Sequence, residues 1–334
     1  MDVRESIKNL IRDSLSSLGL EMTAEIHLER PANVEHGDWS TNIALTLAKK
    51  AKSSPRDLAV QLATALESLP SSYVSRLEVA GPGFVNFYLN KSWLYEVLLQ
   101  AVNDGTENWA RSEEGSNKKV IVEFVSANPT GPLHAGHGRG ACYGDSVARI
   151  LERSGYLVAR EFYVNDRGTQ MNLFASSLAA CTAGENIPED GYHGAYIKEW
   201  AAEIPGDQDP LEWGKKRALS DQREVLRDLN IEFDSWFSET SLVDSGLIEK
   251  TLSMLAKANA SYEKDGATWL KSTEYGDDKD RVLVKSDGEY TYLLPDITYH
   301  LDKLTRAERL INVWGADHHG YITRMKAAIE SLGH

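Results

Sequence analysis

The sequence of 334 residues contains only two cysteines, Cys142 and Cys181, and neither stands in a CxxC or CxxH spacing. A disulfide framework or a thiolate zinc site is therefore not expected, and we interpret both residues as buried free thiols. The sequence also lacks an apolar run near the ~18–20 residues that cross a bilayer, and its charged amphipathic N-terminus is not typical of a secretory signal. We therefore expect a cytoplasmic protein.

Positive charge is scarce as well, since 36 lysine and arginine residues face 50 aspartate and glutamate residues, which gives a net charge of −14. This balance argues against a protein that binds nucleic acid over its whole surface, because phosphate contacts need clustered lysine and arginine. Any contact with RNA must then use local patches, for which solvated helix faces are the alternative interpretation. The candidate patches are Lys49, Lys50 and Lys52; Lys118 and Lys119; and Lys215, Lys216 and Arg217.

The length and the hydrophobic content of 42% predict two domains, each with its own core. The first, residues 1–110, has the alternating and helical patterns of a small α+β domain. Its predicted elements are a helix over 1–18, a strand over 25–28, helices from about Thr41 and over 57–69, and strands over 77–80 and 84–89. The polar segment 103–119 has no apolar periodicity and marks the domain boundary.

The second domain, residues 118–334, opens with an apolar run that is typical of a buried parallel strand. A turn rich in proline and glycine leads from this strand into an apolar helix and a further strand. The order predicts an α/β fold with a Rossmann-like parallel sheet. A more polar, mostly helical stretch of about 173–280 is interpreted as an insertion between the halves of the sheet. The predicted elements are strands over 120–125, 156–163, 281–284, 290–293 and 310–314, and a helix over 138–153.

His134 and His137 stand where the first strand of this sheet turns into a helix, at the edge where open α/β sheets bind ligands. The helix N-terminus offers free N–H groups and a partial positive charge to a phosphate, and both imidazoles can donate to its oxygens. Gly136 would let a flat base lie against the backbone. Two ordinary histidines near a helix start are the alternative interpretation, and zinc is another, although no HExxH pattern is present.

Residues 134–137, HAGH, resemble the HIGH signature of the class I aminoacyl-tRNA synthetases. HxGH alone is a weak signal, because nucleotidyltransferases that attack α-phosphates carry it too. The surrounding sequence is similar to the arginyl branch of the family in five stretches, so the resemblance covers nearly the whole sequence. These stretches are residues 36–42, 81–87, 123–134, 163–168 and 314–321.

The resemblance implies an ATP site at this signature, with His134 and His137 acting as the catalytic pair on the phosphates. The implied ATP-binding residues are Pro132, Leu133, His134, Gly136, His137 and Gly138. The whole signature region comprises Ala127, Asn128, Pro129, Thr130, Gly131, Pro132, Leu133, His134, Ala135, Gly136 and His137.

An arginine side chain is a planar, permanently charged fork that is best held by carboxylates. The resemblance implies that Asp296 supplies such a carboxylate and that Tyr292 is its phenolic partner. Glu123 is a second anionic candidate, with a structural ion pair as the alternative. For Ser126 and Asn128 the alternative is a side chain that stabilises its own turn. The implied arginine-binding residues are Glu123, Ser126, Asn128, Tyr292, Asp296 and His318.

The reaction that the resemblance implies has two steps. ATP and L-arginine form arginyl-adenylate, and the ribose of the terminal adenosine of tRNA(Arg) then takes the arginyl group. Magnesium is expected to accompany ATP rather than to occupy a protein-ligated metal site, and Asp317 and His319 are interpreted as pocket lining rather than as metal ligands. The expected partners are L-arginine, ATP and tRNA(Arg), with no membrane, and the expected state is a monomer.

One part of the family pattern is missing before His334. No stretch resembles the second class I signature, a Lys-Met-Ser-Lys-like loop, and no helical anticodon-binding domain follows. A fragment of a longer enzyme and a shortened relative are both open, and autonomous activity is not expected. Two other classes also stay open: a noncatalytic tRNA-binding paralogue, and an HxGH nucleotidyltransferase, which would leave Tyr292 and Asp296 without a role.

Overall fold

The computed structural model describes residues 3–20 and 25–334, except for the side chains of Asp317 and His319. The chain forms two compact units, Met1–Ala110 and Arg111–His334, each with a hydrophobic core of its own. None of the helices in the described ranges is both long and apolar enough to cross a membrane.

The N-terminal unit is an α+β structure with a four-stranded antiparallel sheet. Its elements are α1 (Val3–Ser17), β1 (Leu28–Glu29), β2 (Trp39–Thr41), α2 (Ile43–Ala51), α3 (Pro55–Glu67), β3 (Val74–Ala80), β4 (Phe84–Leu89) and α4 (Ser92–Asn108). The strand order is β1-β2-β4-β3. Ile7 and Ile11 of α1, Leu62 of α3 and Phe87 of β4 are buried together, because their helical and strand spacing places them on the inner faces. This packing supplies the core of the unit.

The C-terminal unit is built on a four-stranded parallel sheet and carries a second, three-stranded antiparallel sheet. Its strands are β5 (Lys119–Glu123), β6 (Leu157–Val164), β7 (Ser235–Ser238), β8 (Ser261–Lys264), β9 (Ala267–Leu270), β10 (Arg281–Val284) and β11 (Arg309–Asn312). Its helices are α5 (Ala135–Arg153), α6 (Thr169–Ala183), α7 (Ala195–Glu203), α8 (Pro210–Asp228), α9 (Glu239–Asp244), α10 (Leu247–Lys257), α11 (Leu293–Arg306) and α12 (His319–Glu330). The parallel sheet has the order β11-β5-β6-β7, and the small sheet has the order β10-β9-β8.

β5 is an inner strand of the parallel sheet and is apolar on both faces. Val120, Ile121 and Val122 of β5 are all buried, as expected for a strand covered on both sides. α5 connects β5 to β6 and packs very closely on the first of them, since a Cβ at Gly144 would lie 2.2 Å from the ring of Phe124. Helices α6, α7 and α8, which lie between β6 and β7 in the sequence, form a layer with a hydrophobic core of its own.

The fold class expected from the sequence is confirmed: a Rossmann-like α/β unit with a parallel sheet follows a small α+β unit. Several details differ. The sequence analysis did not predict α4. It also missed β7, which lies inside the stretch 173–280 and pairs with β6 of the parallel sheet. Residues 290–293 were predicted as a strand, but only Tyr290 forms a β-bridge. α11 begins at Leu293 and has Pro295 in its first turn, where proline is tolerated.

The expectation that both thiols are buried is wrong for Cys142, which is exposed; Cys181 is half-buried. Cys142 lies in α5, where helical periodicity turns it away from the inward-facing Ala141, Gly144 and Ala148. The two thiols therefore have different access to solvent.

Candidate active site

The chain leaves β5 at Glu123 and enters α5 at Ala135, so residues 124–134 form a loop at the carboxyl edge of the sheet, between β11 and β6. Val125 and Ser126 both have left-handed backbone, with φ of 67° and 46°, which is strained for residues with a Cβ. In this turn Ser126 Oγ donates to Glu123 Oε1 (3.1 Å) and accepts from the Tyr163 N–H (3.2 Å). The strained turn thus ties the loop to two strands.

His134 and His137 cap the N-terminus of α5 with their own rings. The Gly136 N–H donates to Nδ1 of His134 (3.1 Å), and the His134 N–H donates to Nδ1 of His137 (3.3 Å). The rings stack with centroids 3.7 Å apart, and burial together with the neighbouring His134 lowers the pKa of His137. Because each Nδ1 accepts a hydrogen bond, the proton of each neutral ring is on Nε2. The pair therefore carries two Nε2–H donors.

Gly136 gives the cap its room. A Cβ at this position would lie 2.9 Å from Cε1 of the His134 ring, so a side chain would push the ring off its own helix. The glycine is thus needed for the fold of the cap, in addition to the close approach of a flat ligand that the sequence suggested.

The histidines line a cleft of about 910 Å³ that runs between α5 and the end of β11. This volume falls in the range of cofactor and substrate sites. On α5 the lining residues recur at three- and four-residue spacing, which places them on one face of the helix. The lining residues from the loop and α5 are Val125, Ser126, His134, Gly136, His137, Arg139, Gly140, Tyr143 and Val147. The opposite wall is formed by Ile311, Asn312, Val313, Trp314, Gly315 and His318.

A smaller pocket of about 350 Å³ adjoins this cleft, since Ser126, Trp314 and His318 belong to the walls of both. It contains all six residues that the resemblance implied for arginine, Glu123, Ser126, Asn128, Tyr292, Asp296 and His318. Its other lining residues are Val125, Tyr163, Asn165, Tyr299, His300, Val313, Trp314, Gly315 and Tyr321. Acidic and phenolic groups therefore dominate the polar lining of the smaller pocket.

Asp296 lies in the first turn of α11, and its Oδ2 accepts a hydrogen bond from the hydroxyl of Tyr321. Burial raises the pKa of Asp296 to about 7; the hydrogen bond from Tyr321 opposes this shift, and the negative charges of Glu123 and Glu239 add to it. Among the described side chains none forms a salt bridge with Asp296. A cation in the pocket would therefore meet an acidic group that has no salt-bridge partner among the described side chains.

Glu123 has a different environment, because its Oε2 accepts from Nζ of Lys303 at 2.6 Å. Lys303 is 0% exposed, and its Nζ also donates to Asn312 Oδ1 (2.9 Å) and lies 4.2 Å from the centroid of the Tyr299 ring. The ion pair considered from the sequence is thus present, and Glu123 still lines the pocket. Its charge is offset within the protein, unlike that of Asp296.

The network continues along α11. Asn312 Nδ2 donates to Nε2 of His300 (2.6 Å), so His300 carries its proton on Nδ1 and donates it to the carbonyl of Asp296 (2.7 Å). Burial is the larger cause that lowers the pKa of His300 to about 4, and the positive charge of Lys303 lowers it further. The ring is therefore neutral at pH 7, and the chain of bonds fixes the first turn of α11, which carries Asp296.

A second buried carboxylate anchors the other end of α11. Glu161 accepts two bonds from the guanidinium of Arg306 (2.6 and 2.9 Å) and one from the hydroxyl of Tyr299 (2.7 Å). Burial alone would raise the pKa of Glu161, but the hydrogen bonds from Arg306 and Tyr299 lower it. Sheet and helix are thus joined by two charged clusters beneath the pocket.

Tyr292 stands at the N-terminus of α11 and is 70% exposed. Its phenol reaches the mouth of the smaller pocket without a hydrogen-bond partner among the described residues. Asp296, by contrast, is turned inward and bound to Tyr321. The two residues that the resemblance paired therefore line the same pocket, but Tyr292 is exposed at its mouth and Asp296 is half-buried and hydrogen-bonded.

Other predicted residues differ in position. Pro132, Leu133 and Gly138 lie outside the lining of the cleft, and Leu133 packs against the core of the sheet. The predictions for Asp317 and His319 concern side chains outside the described part of the structure. The sequence analysis did not single out Tyr143, although its seven-residue spacing from Gly136 on a helix was a usable signal. Tyr321 lies in the resembling stretch 314–321 but was given no role there, and Lys303 gave no local signal.

The basic patches differ in their charge balance. Lys215 pairs with Glu212 (3.1 Å), and Arg217 pairs with Glu203 (2.9 Å) and Asp221 (3.4 Å), so the third candidate patch is largely neutralised. Lys49 and Lys50 lie in the last turn of α2, where a positive charge is favourable for the helix itself. This location supports the solvated-face interpretation as well as an anion contact.

Comparison with known proteins identifies two matching family models. Residues 5–89 match the arginyl tRNA synthetase N terminal domain, and residues 98–190 match the class I (R) tRNA synthetase catalytic domain. The arginine–tRNA ligase of Bacillus licheniformis is 46% identical over 355 aligned residues, which cover 99% of this chain and 64% of that protein. The arginine–tRNA ligase of Bacillus subtilis is 44% identical over 361 aligned residues, which cover 100% and 65%.

A solved structure supports the fold. The arginyl-tRNA synthetase of Thermus thermophilus matches with a TM-score of 0.68 at 22% identity, over 99% of this chain and 63% of that one. The chain therefore spans about 64% of the length of the Bacillus licheniformis relative. The matched part contains both units described above.

Proposed function

Since the chain belongs to the arginyl-tRNA synthetase family, we propose that it carries the arginine- and ATP-binding part of an arginine–tRNA ligase. The proposed reaction activates L-arginine with ATP to arginyl-adenylate and transfers the arginyl group to tRNA(Arg). The observation that carries this proposal is the small acidic pocket that shares a wall with the cleft at the histidine cap. Arginine in the pocket and ATP in the cleft would meet at that wall.

Asp296 is the proposed anchor of the guanidinium. An arginine fork is permanently charged, and the carboxylate of Asp296 has no salt-bridge partner among the described side chains. The shared wall formed by Ser126 and His318 then lies toward the α-amino and α-carboxylate groups, with Asn128 beside it. Glu123 adds negative potential, but its pairing with Lys303 makes it the weaker ligand.

The proposed chemistry needs no protein nucleophile. The carboxylate of arginine attacks the α-phosphorus of ATP, the bond to pyrophosphate breaks, and the Nε2–H groups of His134 and His137 donate to the phosphate oxygens as charge accumulates. Positioning of the two substrates across the shared wall supplies much of the remaining acceleration. Both histidines act as neutral donors held in place by the cap.

Magnesium is proposed to arrive with ATP and to neutralise its phosphates. Among residues 3–20 and 25–334, with two side chains excepted, no group of three or more His, Cys, Asp or Glu side chains is arranged to hold a metal. The protein's part is therefore the donor pair of the cap and the shape of the cleft.

The proposed RNA partner is tRNA(Arg), and the proposed contact is the N-terminal unit, which matches the arginyl tRNA synthetase N terminal domain. Within that unit the guanidinium of Arg30 lies 5.2 Å from the centroid of Trp39, and Lys49 and Lys50 lie in the last turn of α2. A cytoplasmic location and a monomeric state belong to the same proposal.

Calorimetric titration with arginine, citrulline and lysine tests the pocket. Citrulline keeps the planar shape of arginine without its charge, and lysine keeps the charge without the fork. We expect measurable arginine binding and affinities at least about tenfold lower for both analogues, because either one leaves the Asp296 carboxylate without its charged, bidentate partner.

The matched variant is Asp296→Asn, which retains the size of the side chain. It should lose most of the preference for arginine over citrulline, while binding of ATP changes little, because Asp296 lies outside the lining of the larger cleft. Equal affinities for arginine and citrulline in the unmodified protein would contradict the proposed substrate.

A further inference from the structure

The loop that precedes the histidine cap accepts hydrogen bonds from the helical layer α6–α8. Gln222 of α8 donates from Nε2 to two backbone carbonyls of this loop, those of Asn128 (3.0 Å) and Gly131 (3.0 Å). Gln222 is 1% exposed, so both bonds form away from solvent, where a lost partner is costly. Three residues after Gly131 the chain reaches His134.

The orientation of the Gln222 amide follows from its partners. The two loop carbonyls can accept only from the NH₂ group of the amide. If the O and N atoms of the amide were exchanged, Oε1 would face both carbonyl oxygens, and three acceptors would lie together without a donor. Oε1 of Gln222 is left buried without a hydrogen-bond partner among the described residues. An apolar side chain of the same length would avoid that cost, so what the amide adds at this place is the pair of bonds to the loop.

Tyr196 of α7 holds the same loop at an intermediate point. Its hydroxyl donates to the carbonyl of Thr130 (2.8 Å), and burial raises the pKa of Tyr196 to about 12, so it remains a donor at neutral pH. Its ring fills the space that Gly131 leaves open, since a Cβ there would lie 2.8 Å from the Tyr196 hydroxyl oxygen. The Asn128 side chain adds a bond to Gln170 of α6.

We infer that Gln222, assisted by Tyr196, is a positioning residue that sets the path of residues 128–131 and thereby the orientation of the two cap histidines. Three of the four carbonyls in this stretch, those of Asn128, Thr130 and Gly131, accept from the helical layer. The loop is therefore fixed on one side while its other side borders the ligand sites. The consequence for ATP rests on the proposed function; the consequence for the histidines does not.

The test replaces Gln222 by methionine, which has a similar length but cannot donate. Long-range ¹H–¹⁵N spectra report which nitrogen of each histidine carries the proton. In the unmodified chain His134 and His137 should both show the Nε2–H form, as the cap requires. In Gln222→Met both should shift toward a mixture of forms, and ATP affinity should fall about tenfold, as expected when two buried hydrogen bonds are lost.

The matched control is Ser177→Ala in the same helical layer. Ser177 is buried; its hydroxyl accepts from the Tyr192 N–H (2.9 Å) and donates to the carbonyl of Leu173 (2.6 Å), and neither partner belongs to the loop. It should lower the melting temperature without changing the histidine spectra or ATP affinity. This separates loss of positioning from general loss of stability.

The inference is overturned if folded Gln222→Met keeps both histidines in the Nε2–H form and binds ATP within twofold of the unmodified chain. If the unmodified chain binds no ATP, the proposed function fails, and the histidine spectra alone decide the inference. Should Gln222→Met not fold, Tyr196→Phe removes one loop bond and keeps the ring; unchanged histidine spectra in that variant would overturn the inference as well.

Discussion

Replacing Lys303 by methionine removes the only described cation that contacts Glu123 and keeps a side chain of similar length. In the unmodified protein Lys303 is 0% exposed, and its Nζ lies 2.6 Å from Glu123 Oε2. After the substitution Glu123 retains one hydrogen bond, from the hydroxyl of Ser126. The variant therefore leaves an almost fully buried carboxylate without a counter-charge.

The expected cost is set by that orphaned charge. Removing one partner of a buried pair costs about 3–5 kcal/mol of unfolding free energy. At ~2–4 °C per kcal/mol for a unit of this size, the melting temperature should fall by about 6–20 °C. The double variant Lys303→Met/Glu123→Gln removes both charges together. Its loss should be smaller than the sum of the two single losses by about 2 kcal/mol or more, because neither charge is left alone.

Thermal and urea unfolding of the four chains, followed by far-ultraviolet circular dichroism, measures this cycle. Lys285→Met is the control, since Lys285 and Glu289 form an exposed pair at 2.9 Å, and we expect no measurable change in melting temperature there. The reasoning is refuted if Lys303→Met is as mild as the control, or if the double variant loses as much as the two single variants combined.

Three further outcomes are expected. Measured in a longer chain that is active with arginine and ATP, His137→Ala should slow arginyl-adenylate formation about 100-fold, through loss of one preorganised donor and of the cap bond to its Nδ1, and near-normal single-turnover rates would contradict its role. Since the pKa of Asp296 is raised to about 7 and only its ionised form attracts a guanidinium, arginine affinity should rise about tenfold from pH 6 to pH 8 in calorimetry, and this rise should vanish in Asp296→Asn. Gly144→Ala should cost about 1–3 kcal/mol in urea unfolding, because its Cβ meets Phe124 at 2.2 Å, whereas Gly138→Ala has open space and should gain up to about 1 kcal/mol.

The sequence predicted the strand, turn and helix around the histidines because their signals are local. The apolar run of β5, the proline- and glycine-rich turn and the helix after it lie within 35 residues of one another, from Lys119 to Arg153. β7 was missed because it has four residues, all half-buried, and begins and ends on serine. Its place beside β6 depends on tertiary pairing rather than on its own pattern.

The candidate site likewise combines residues with local sequence signals and residues whose positions depend on tertiary contacts. The six residues of the small pocket were named from a family resemblance, and neither periodicity nor spacing would have grouped them. Lys303 contacts Glu123 across 180 positions, and Gln222 contacts Asn128 across 94. Such partners follow from the packing of α11 and α8, which no short stretch of sequence encodes. The binding roles of the six residues stay predictions.

The ring cap of α5 makes one pair of side chains responsible for two tasks that mutagenesis usually keeps apart. Acid that charges either imidazole turns its Nδ1 from an acceptor into a donor facing a backbone N–H, so the cap bond of that ring would be lost while its Nε2–H gains a positive charge. An alanine at His134 would likewise change folding and substrate contact together. Asparagine, a good helix cap without an Nε2–H, is the substitution that would separate the two.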